Sequence, residues 1–401
     1  MSLTIEDMKI SAAASNFYAP HSEVKALSVT AEANGLLVLF RGQEQERCYP
    51  WFWVRDNGID AQSLDQTTLQ RQVDTFSIPA DIAASNVNFN KQSQLIEIDW
   101  NDGSNSVIST YVMASVLDLG VGRHLLVPDR KRVLWGKESP LKKLPTVQFD
   151  DVMGSDKGLL EWLENIQIYG FSLVKGVPAT EEDTTRLAER IGIVQETIFG
   201  RMWPLSSELK DHGDTAYTDM YLEPHTDAIY YHDAAGLQMF NCLEFDCKGG
   251  ESIQVDAFAI AARIKAEDPE AYQTLTEVLV PGHYMEEGVH LRAERPVFRL
   301  GSSGELMQVS FNNYDRAPFL MSNEVSKRFF HAYGVFHKHA NDQDNWIKIS
   351  LEPGTTLIFD NWRNMHGRMG FVGKRVFYGC YHSKAVFESK LRVLQAQANP
   401  T

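Results

Sequence analysis

No apolar run in these 401 residues is long enough to span a bilayer as a helix, so no membrane partner is expected. Cysteine is scarce. Cys48, Cys242, Cys247 and Cys380 are scattered, which argues against a disulfide framework. Cys242 and Cys247 read better as strand thiols than as half a metal site. Positive charge is also short: 38 Lys and Arg against 53 Asp and Glu give a net charge of −15, which speaks against a nucleic-acid partner. The opening Met1-Ser2-Leu3-Thr4-Ile5-Glu6-Asp7 lacks the basic-then-apolar pattern of a secretory leader, and a reducing, cytoplasmic compartment is expected. Repeats, low-complexity tracts and heptads are missing too. What is present is an ordinary globular composition, 43% hydrophobic and 23% charged, with length for two domains.

The first 125 residues read as a small β-rich domain. Ala26 to Phe40 is strand-like and broken by Asn34-Gly35, a hairpin signal. Gln94 to Trp100 alternates, and Asn101-Asp102-Gly103 turns it into Val107-Ile108 and Tyr111-Val112. Residues 126–147 are basic and carry Pro128, Pro140 and Pro145, which marks a linker. From 148 to 401 the pattern changes. Leu159, Leu163 and Ile166 have helical spacing, and Thr180 caps a helix over Glu181 to Ile191. Strands are expected at Ile168–Val174, Gly236–Phe245, Ser252–Val255, Leu306–Phe311, Trp346–Leu351, Thr355–Phe359 and Val376–His382. Between them Asp256 caps a helix through Ile264, and a shorter helix runs near Pro269 to Val278. Short strands around a helical insert suggest a mainly β barrel or jelly roll with helices outside.

The chemistry gathers at Pro224-His225-Thr226-Asp227 and Asn364-Met365-His366-Gly367-Arg368. In an extended strand, residues i and i+2 share a face, so His225 and Asp227 can aim at one point. The run Ala228-Ile229-Tyr230-Tyr231 extends that strand pattern. With His366 they make two imidazoles and a carboxylate, the facial set of non-haem Fe(II) oxygenases. Twelve histidines in this length give roughly one His-x-Asp pair by chance. A second pair, His212-Gly213-Asp214, reads as loop. Taken alone, either pair has a plainer reading as structural histidine.

Four stretches carry a resemblance over nearly the whole chain. They are Phe199-Gly200-Arg201-Met202-Trp203, Gly213-Asp214-Thr215-Ala216-Tyr217-Thr218, Phe311-Asn312-Asn313-Tyr314-Asp315-Arg316, and Asp360-Asn361-Trp362-Arg363 through Arg375 to Gly379-Cys380-Tyr381. They resemble the trimethyllysine and γ-butyrobetaine dioxygenases, which use iron and 2-oxoglutarate, the trimethyllysine enzymes most of all. The resemblance implies a double-stranded β-helix (jelly-roll) catalytic domain and a hydroxylase of a trimethylammonium compound. It implies Fe(II), 2-oxoglutarate as cosubstrate, O2, and support by ascorbate. A place in carnitine biosynthesis and a homodimer are implied in the same way.

The resemblance assigns His225, Asp227 and His366 to iron. Arg375 matches the arginine that pairs with the distal carboxylate of 2-oxoglutarate, and a planar guanidinium suits a carboxylate. Ser252 stands where relatives place a hydroxyl for that group. Trp203, Tyr217 and Tyr381 match an aromatic cage for the trimethylammonium cation, with Asp214 balancing its charge. Ring faces can hold a cation that has no N–H to donate, at about 0.5–2 kcal/mol each. Asn312 and Asn313 are candidates for the other end of the substrate. Two departures stand out. Phe199 replaces a frequent tyrosine, which keeps the ring face and loses a hydroxyl. Gly58, Asp60 and Ser63 stand where γ-butyrobetaine enzymes place cysteines, so the N-terminal domain has no thiolate set for zinc. Substrates left open are γ-butyrobetaine and a trimethylammonioethylphosphonate. A non-catalytic quaternary-ammonium binding protein is the alternative of another class, and a zinc hydrolase would leave Arg375 unexplained.

Overall fold

A computed structural model describes residues 25–116, 132–206, 218–301 and 304–398. The chain divides into two compact units, one drawn from residues 1–129 with the last three, the other from residues 130–398.

The first unit holds two three-stranded antiparallel sheets. One is β1 (Ala26–Glu32), β2 (Gly35–Phe40) and β3 (Arg47–Pro50), followed by helix α1 (Trp51–Asp56). The other is β4 (Ala84–Asn90), β5 (Leu95–Trp100) and β6 (Asn105–Ser109), followed by helix α2 (Thr110–Ser115). The strand expected at Tyr111-Val112 is therefore helical. The Ser109 hydroxyl accepts from the Tyr111 N–H and caps a turn there. Leu36, Val38, Phe40, Ile96, Ile98 and Trp100 alternate into one core, where Trp100 meets Trp51 edge-on at 6.0 Å. Gly58, Asp60 and Ser63 do come together. A Cβ on Gly58 would lie 2.6 Å from Ser63 Oγ and 3.0 Å from Asp60 Oδ2. Asp60 accepts from the Ser63 hydroxyl and from the N–H groups of Gln62, Ser63 and Val107. Hydrogen bonds to one buried carboxylate hold this corner.

The second unit opens with β7 (Thr146–Gln148), α3 (Phe149–Gly154), α4 (Asp156–Tyr169), β8 (Phe171–Lys175), α5 (Glu181–Ile191) and β9 (Trp203–Ser206). It continues through β10 (Leu222–His225), β11 (Leu237–Gly249), β12 (Ser252–Asp256), α6 (Ala257–Glu267) and α7 (Pro269–Glu277). The hairpins β13 (Leu279–Glu286) with β14 (Val289–Pro296), and β15 (Phe298–Leu300) with β16 (Leu306–Val309), precede α8 (Asn323–Ala340). The chain ends in β17 (Ile347–Ile349), β18 (Thr355–Asp360), β19 (Asn364–Arg368), β20 (Phe371–His382) and α9 (Lys384–Ala398). No described helix is long and apolar enough to cross a membrane.

Two sheets position the site. One has the order β7-β8-β18-β11-β20-β9, the other β10-β19-β12-β17. Their period-2 pattern splits each strand between helices and cavity. On β11, Leu237 and Met239 face a core shared with α4, α5 and α9, while Gln238 and Phe240 line a cavity. On β12, Ile253 and Val255 face α6 and α8, while Ser252 and Gln254 line the same cavity. The strand expected from Ile168 begins only at Phe171. The helix runs on to Tyr169 and stops at Gly170, whose φ of 82° is the left-handed cap that glycine adopts without strain.

Candidate metal centre and active-site cavity

Asp227 is not on a strand. β10 ends at His225, and the run from Ala228 to Tyr231 is a turn entered through Ala228 at φ 62°. The alternating pattern failed here because the backbone groups of this loop find other partners. Thr226 N–H donates to the Phe311 carbonyl, and Asn361 Oδ1 accepts from the Asp227 N–H at 2.8 Å. The Asn361 amide donates back to the carbonyls of Asp227 and Ala235. His366 arrives on β19 directly opposite His225. Gly367 lets the strands approach: a Cβ there would fall 2.6 Å from the Leu222 carbonyl oxygen.

Asp227 Oδ1 lies 3.3 Å from His225 Nε2 and 3.6 Å from His366 Nε2. Among the described residues this is the one cluster of three His, Cys, Asp or Glu side chains with metal-site spacing, all donor atoms within 4.8 Å. His225 Nδ1–H donates to the Glu223 carbonyl at 2.7 Å, which turns the Nε2 lone pair inward. Burial drives His366 down to about 3, so its imidazole stays neutral. Burial also works against ionised Asp227, but the two imidazoles and the Tyr381 hydroxyl outweigh it and hold the carboxyl well below its usual range. Burial opposes a charge on His225 too, but the Asp227 carboxylate beside it shifts this imidazole the other way, upward. Two imidazole nitrogens and one carboxylate on one face fit a divalent iron.

The cavity around the cluster measures about 990 Å³ including its mouth, room for two small reactants side by side. Both sheets line it. Arg375, Ser252, Gln254 and Arg368 line it too, with Ser252 opposite Arg368 and Gln254 opposite His366 in the sheet. Arg375 is 5% exposed, and its one described hydrogen bond is from Nη1 to the Gly250 carbonyl at 2.7 Å. The rings of Phe371 and Phe377 flank the guanidinium, and no described carboxylate pairs with it. Burial, and Arg368 beside it, lower its pKa to about 9. A buried cation facing a cavity without a counter-charge fits a carboxylate ligand. Gln254, fully buried, also leaves its Nε2 donor unpartnered.

At another wall Phe199 and Trp203 lie 6.0 Å apart, ring centre to ring centre, and Trp203 meets Tyr381 at 4.5 Å. Tyr230 adds a further ring. Asn312 lines the cavity and orders the loop after β16: its amide donates to Asp315, and its Oδ1 accepts from the Tyr314 N–H. Asn313 stays outside the cavity, exposed, with its Oδ1 accepting from Arg316. Asp214 and Tyr217 lie outside the described residues.

A family profile described as taurine catabolism dioxygenase TauD, TfdA family matches residues 128–381, which includes every residue of the cluster and of Arg375's strand up to Tyr381. The chain belongs to the TauD/TfdA family of dioxygenases. Among curated relatives, the mitochondrial trimethyllysine dioxygenase of Gallus gallus is 31% identical over 385 residues, covering 94% of this chain and 91% of that one. The trimethyllysine dioxygenase of Meyerozyma guilliermondii is 33% identical over 367 residues, 87% of this chain and 90% of its own. A γ-butyrobetaine dioxygenase of a Pseudomonas species is 31% identical over 349 residues, 86% and 89% of the two chains. In this dioxygenase the two-sheet cavity, which holds the cluster, is the candidate active site.

Sequence reasoning missed Tyr230, Gln238, Gln254, Tyr314 and Arg368 in that cavity. For Gln254 a signal existed, since it shares the face of Ser252 two residues on. Tyr230 had none, because the turn that carries it reads as strand.

Proposed function

We propose that this dioxygenase is an Fe(II)- and 2-oxoglutarate-dependent hydroxylase of a small trimethylammonium substrate of the trimethyllysine type. One observation carries the reading. The same cavity holds a two-imidazole and carboxylate cluster, a buried arginine without a described carboxylate partner, and a wall of packed aromatic rings. The two sheets and their outer helices support a jelly-roll reading of the catalytic unit, and the resemblance supports a homodimer.

His225, Asp227 and His366 would hold the metal, with His225 Nε2, His366 Nε2 and Asp227 Oδ1 facing one another. The chemistry supplied by iron and 2-oxoglutarate when bound is oxidative decarboxylation, in which O2 and the 2-oxo acid give succinate, CO2 and a hydroxylated C–H. Arg375 pairs with the distal carboxylate of the 2-oxo acid, and Ser252, which lines the same cavity, offers that carboxylate a hydroxyl donor. Leu351, Leu357 and Phe359 line the cavity as well, and an apolar lining that keeps water out strengthens such a pairing. Phe199, Trp203 and Tyr381 face the cation with ring surfaces, so a methylated nitrogen enters without stranding N–H donors. Holding both reactants in one cavity supplies the positioning that this chemistry needs.

The test is a panel of trimethyllysine, γ-butyrobetaine, a trimethylammonioethylphosphonate and free lysine, assayed for succinate and for hydroxylated product. Trimethyllysine is expected to give the highest turnover, and free lysine almost none. Turnover on none of the methylated compounds would overturn the reading.

A further inference from the structure

Tyr381 does two things at once. It sits on β20 opposite Gln238 of β11, near the end of the strand. Its ring packs on Trp203 at 4.5 Å and forms part of the aromatic wall. Its hydroxyl donates to Asp227 Oδ2 at 2.7 Å, and Gln238 Nε2 donates to that hydroxyl at 3.4 Å. Oδ1, the other oxygen of the same carboxylate, is the one that faces both imidazoles, at 3.3 and 3.6 Å. The two oxygens of Asp227 are therefore divided. One faces the metal position and the other is occupied by a phenol.

That division has a chemical consequence. A carboxylate can ligate through one oxygen or two, and the second mode uses one more position on the ion. A hydrogen bond from a neutral hydroxyl to a carboxylate is short and roughly twice as strong as one between neutral groups, and 2.7 Å fits it. It holds the carboxylate plane and withholds Oδ2. Gln238, 3% exposed, donates to the same hydroxyl from the neighbouring strand. Outer partners of this kind commonly change metal affinity about 10–100-fold when removed.

We propose that Tyr381 is a positioning residue for the metal centre: its hydroxyl holds Asp227 to ligation through Oδ1 alone, while its ring forms the cation wall. The proposal rests on the reading of this cavity as a metal centre. It makes one side chain the physical link between the substrate's cationic end and a metal ligand.

The variant Tyr381→Phe separates the two parts, since it keeps the ring and removes the hydroxyl. Binding of Co(II) and of anaerobic Fe(II) is titrated in the full-length protein, and the Co(II) absorption spectrum is recorded. Tyr381→Phe is expected to bind either metal about 10–100-fold more weakly and to show a changed Co(II) spectrum. Its KM for the trimethylammonium substrate should stay within about threefold of wild type, and it should form more succinate per hydroxylated product. Tyr381→Ala should lose metal affinity to the same degree and also raise the substrate KM at least tenfold, for want of the ring. Gln238→Met, which leaves the tyrosine in place, gives a second route should either variant fold poorly, with a smaller loss of metal affinity and the same direction of spectral change. Wild-type metal affinity and spectrum in Tyr381→Phe would overturn the proposal. So would a substrate KM that rises equally in the Phe and Ala variants with metal binding unchanged, which would give the hydroxyl to the substrate. Metal titration needs no substrate turnover, so it stands apart from a failure of the trimethylammonium panel.

Discussion

Arg375 carries a charge that the described protein does not balance. Its guanidinium sits between two phenyl rings, facing a cavity. Such a group is tolerated because an anion completes it. Arg375→Ala is expected to raise the KM for 2-oxoglutarate at least tenfold, since losing a buried charge-assisted pair costs about 2–5 kcal/mol. The substrate KM should change little, and a KM for 2-oxoglutarate equal to wild type would place the anchor elsewhere. Trp203, 5% exposed and stacked between Phe199 and Tyr381, belongs to the other end. Trp203→Ala should raise the KM for a trimethylated substrate by tenfold or more, because it removes both ring attraction and apolar cover. The KM for 2-oxoglutarate should stay near wild type. Steady-state kinetics with each reactant varied in turn reads both variants, and equal shifts in the two constants would show general damage in place of a divided site.

At the scale of elements, the metal cluster depends on a strand end and a loop held from three sides. β10 supplies His225, β19 supplies His366, and Asp227 hangs between them, its backbone N–H and carbonyl bonded to the Asn361 side-chain amide and the preceding Thr226 N–H donating to the Phe311 carbonyl. Asn361 is 1% exposed and serves the loop with both ends of its amide. Asn361→Ala strands a buried N–H and two carbonyls at about 1–3 kcal/mol each, partly relieved by water. The expected result is a stability loss of roughly 2–4 kcal/mol by denaturant unfolding and about tenfold weaker Co(II) binding. Unchanged metal binding would show that the loop keeps its shape without Asn361. Period and capping made several elements legible in advance: Thr180 caps Glu181–Ile191, and Asp256 caps Ala257–Glu267. The turn after His225 was not legible, because apolar residues packed at a turn look like strand residues until their backbone partners are known. The 18-residue helix α8 also escaped. Its histidines and lysines blur the apolar stripe formed by Phe329, Tyr333 and Phe336.

For the molecule as a whole, the catalytic unit encloses groups whose protonation is tied to folding. His382 lies buried between the sheet and the α5–β9 connection, with its Nδ1 facing the Ile193 carbonyl and Nε2 facing Cys380. Burial pushes its pKa down to about 4, and Arg201 adds to this. The unfolded chain binds that proton first as pH falls below about 6.5. The contribution of neutral His382 is therefore complete above that pH. It is lost between about 6.5 and 4, by roughly 3 kcal/mol in all. In His382→Asn the unfolding free energy should fall less steeply with acid over this window, by up to one proton. Parallel pH profiles for the two proteins would show that His382 does not carry this linkage. Arg363 and Asp256 form a second buried ionic group, 1% and 0% exposed in their side chains, that ties β12 to the connection after β18.

The sequence by itself offered His225, Asp227 and His366 as a facial ligand set, and its resemblance to the trimethyllysine and γ-butyrobetaine dioxygenases named the arginine and the aromatic residues. His225, Asp227, His366, Arg375, Trp203 and Tyr381 were named from it, and the structure places all six around one cavity. The sequence also marked Gly236 to Phe245 as a strand, whose Leu237 and Met239 the structure turns to the helices and whose Gln238 and Phe240 it turns inward. Only the tertiary structure decided which oxygen of Asp227 faces the imidazoles and which meets Tyr381, and that Asn313 stays outside. The reason is that orientation within a site depends on partners more than a hundred positions away in the chain. Asn361 and Tyr381 reach Asp227 across 134 and 154 positions. Local pattern carries periodicity and capping, whereas the direction of a buried carboxylate is set by which distant donors the folded sheets bring against it.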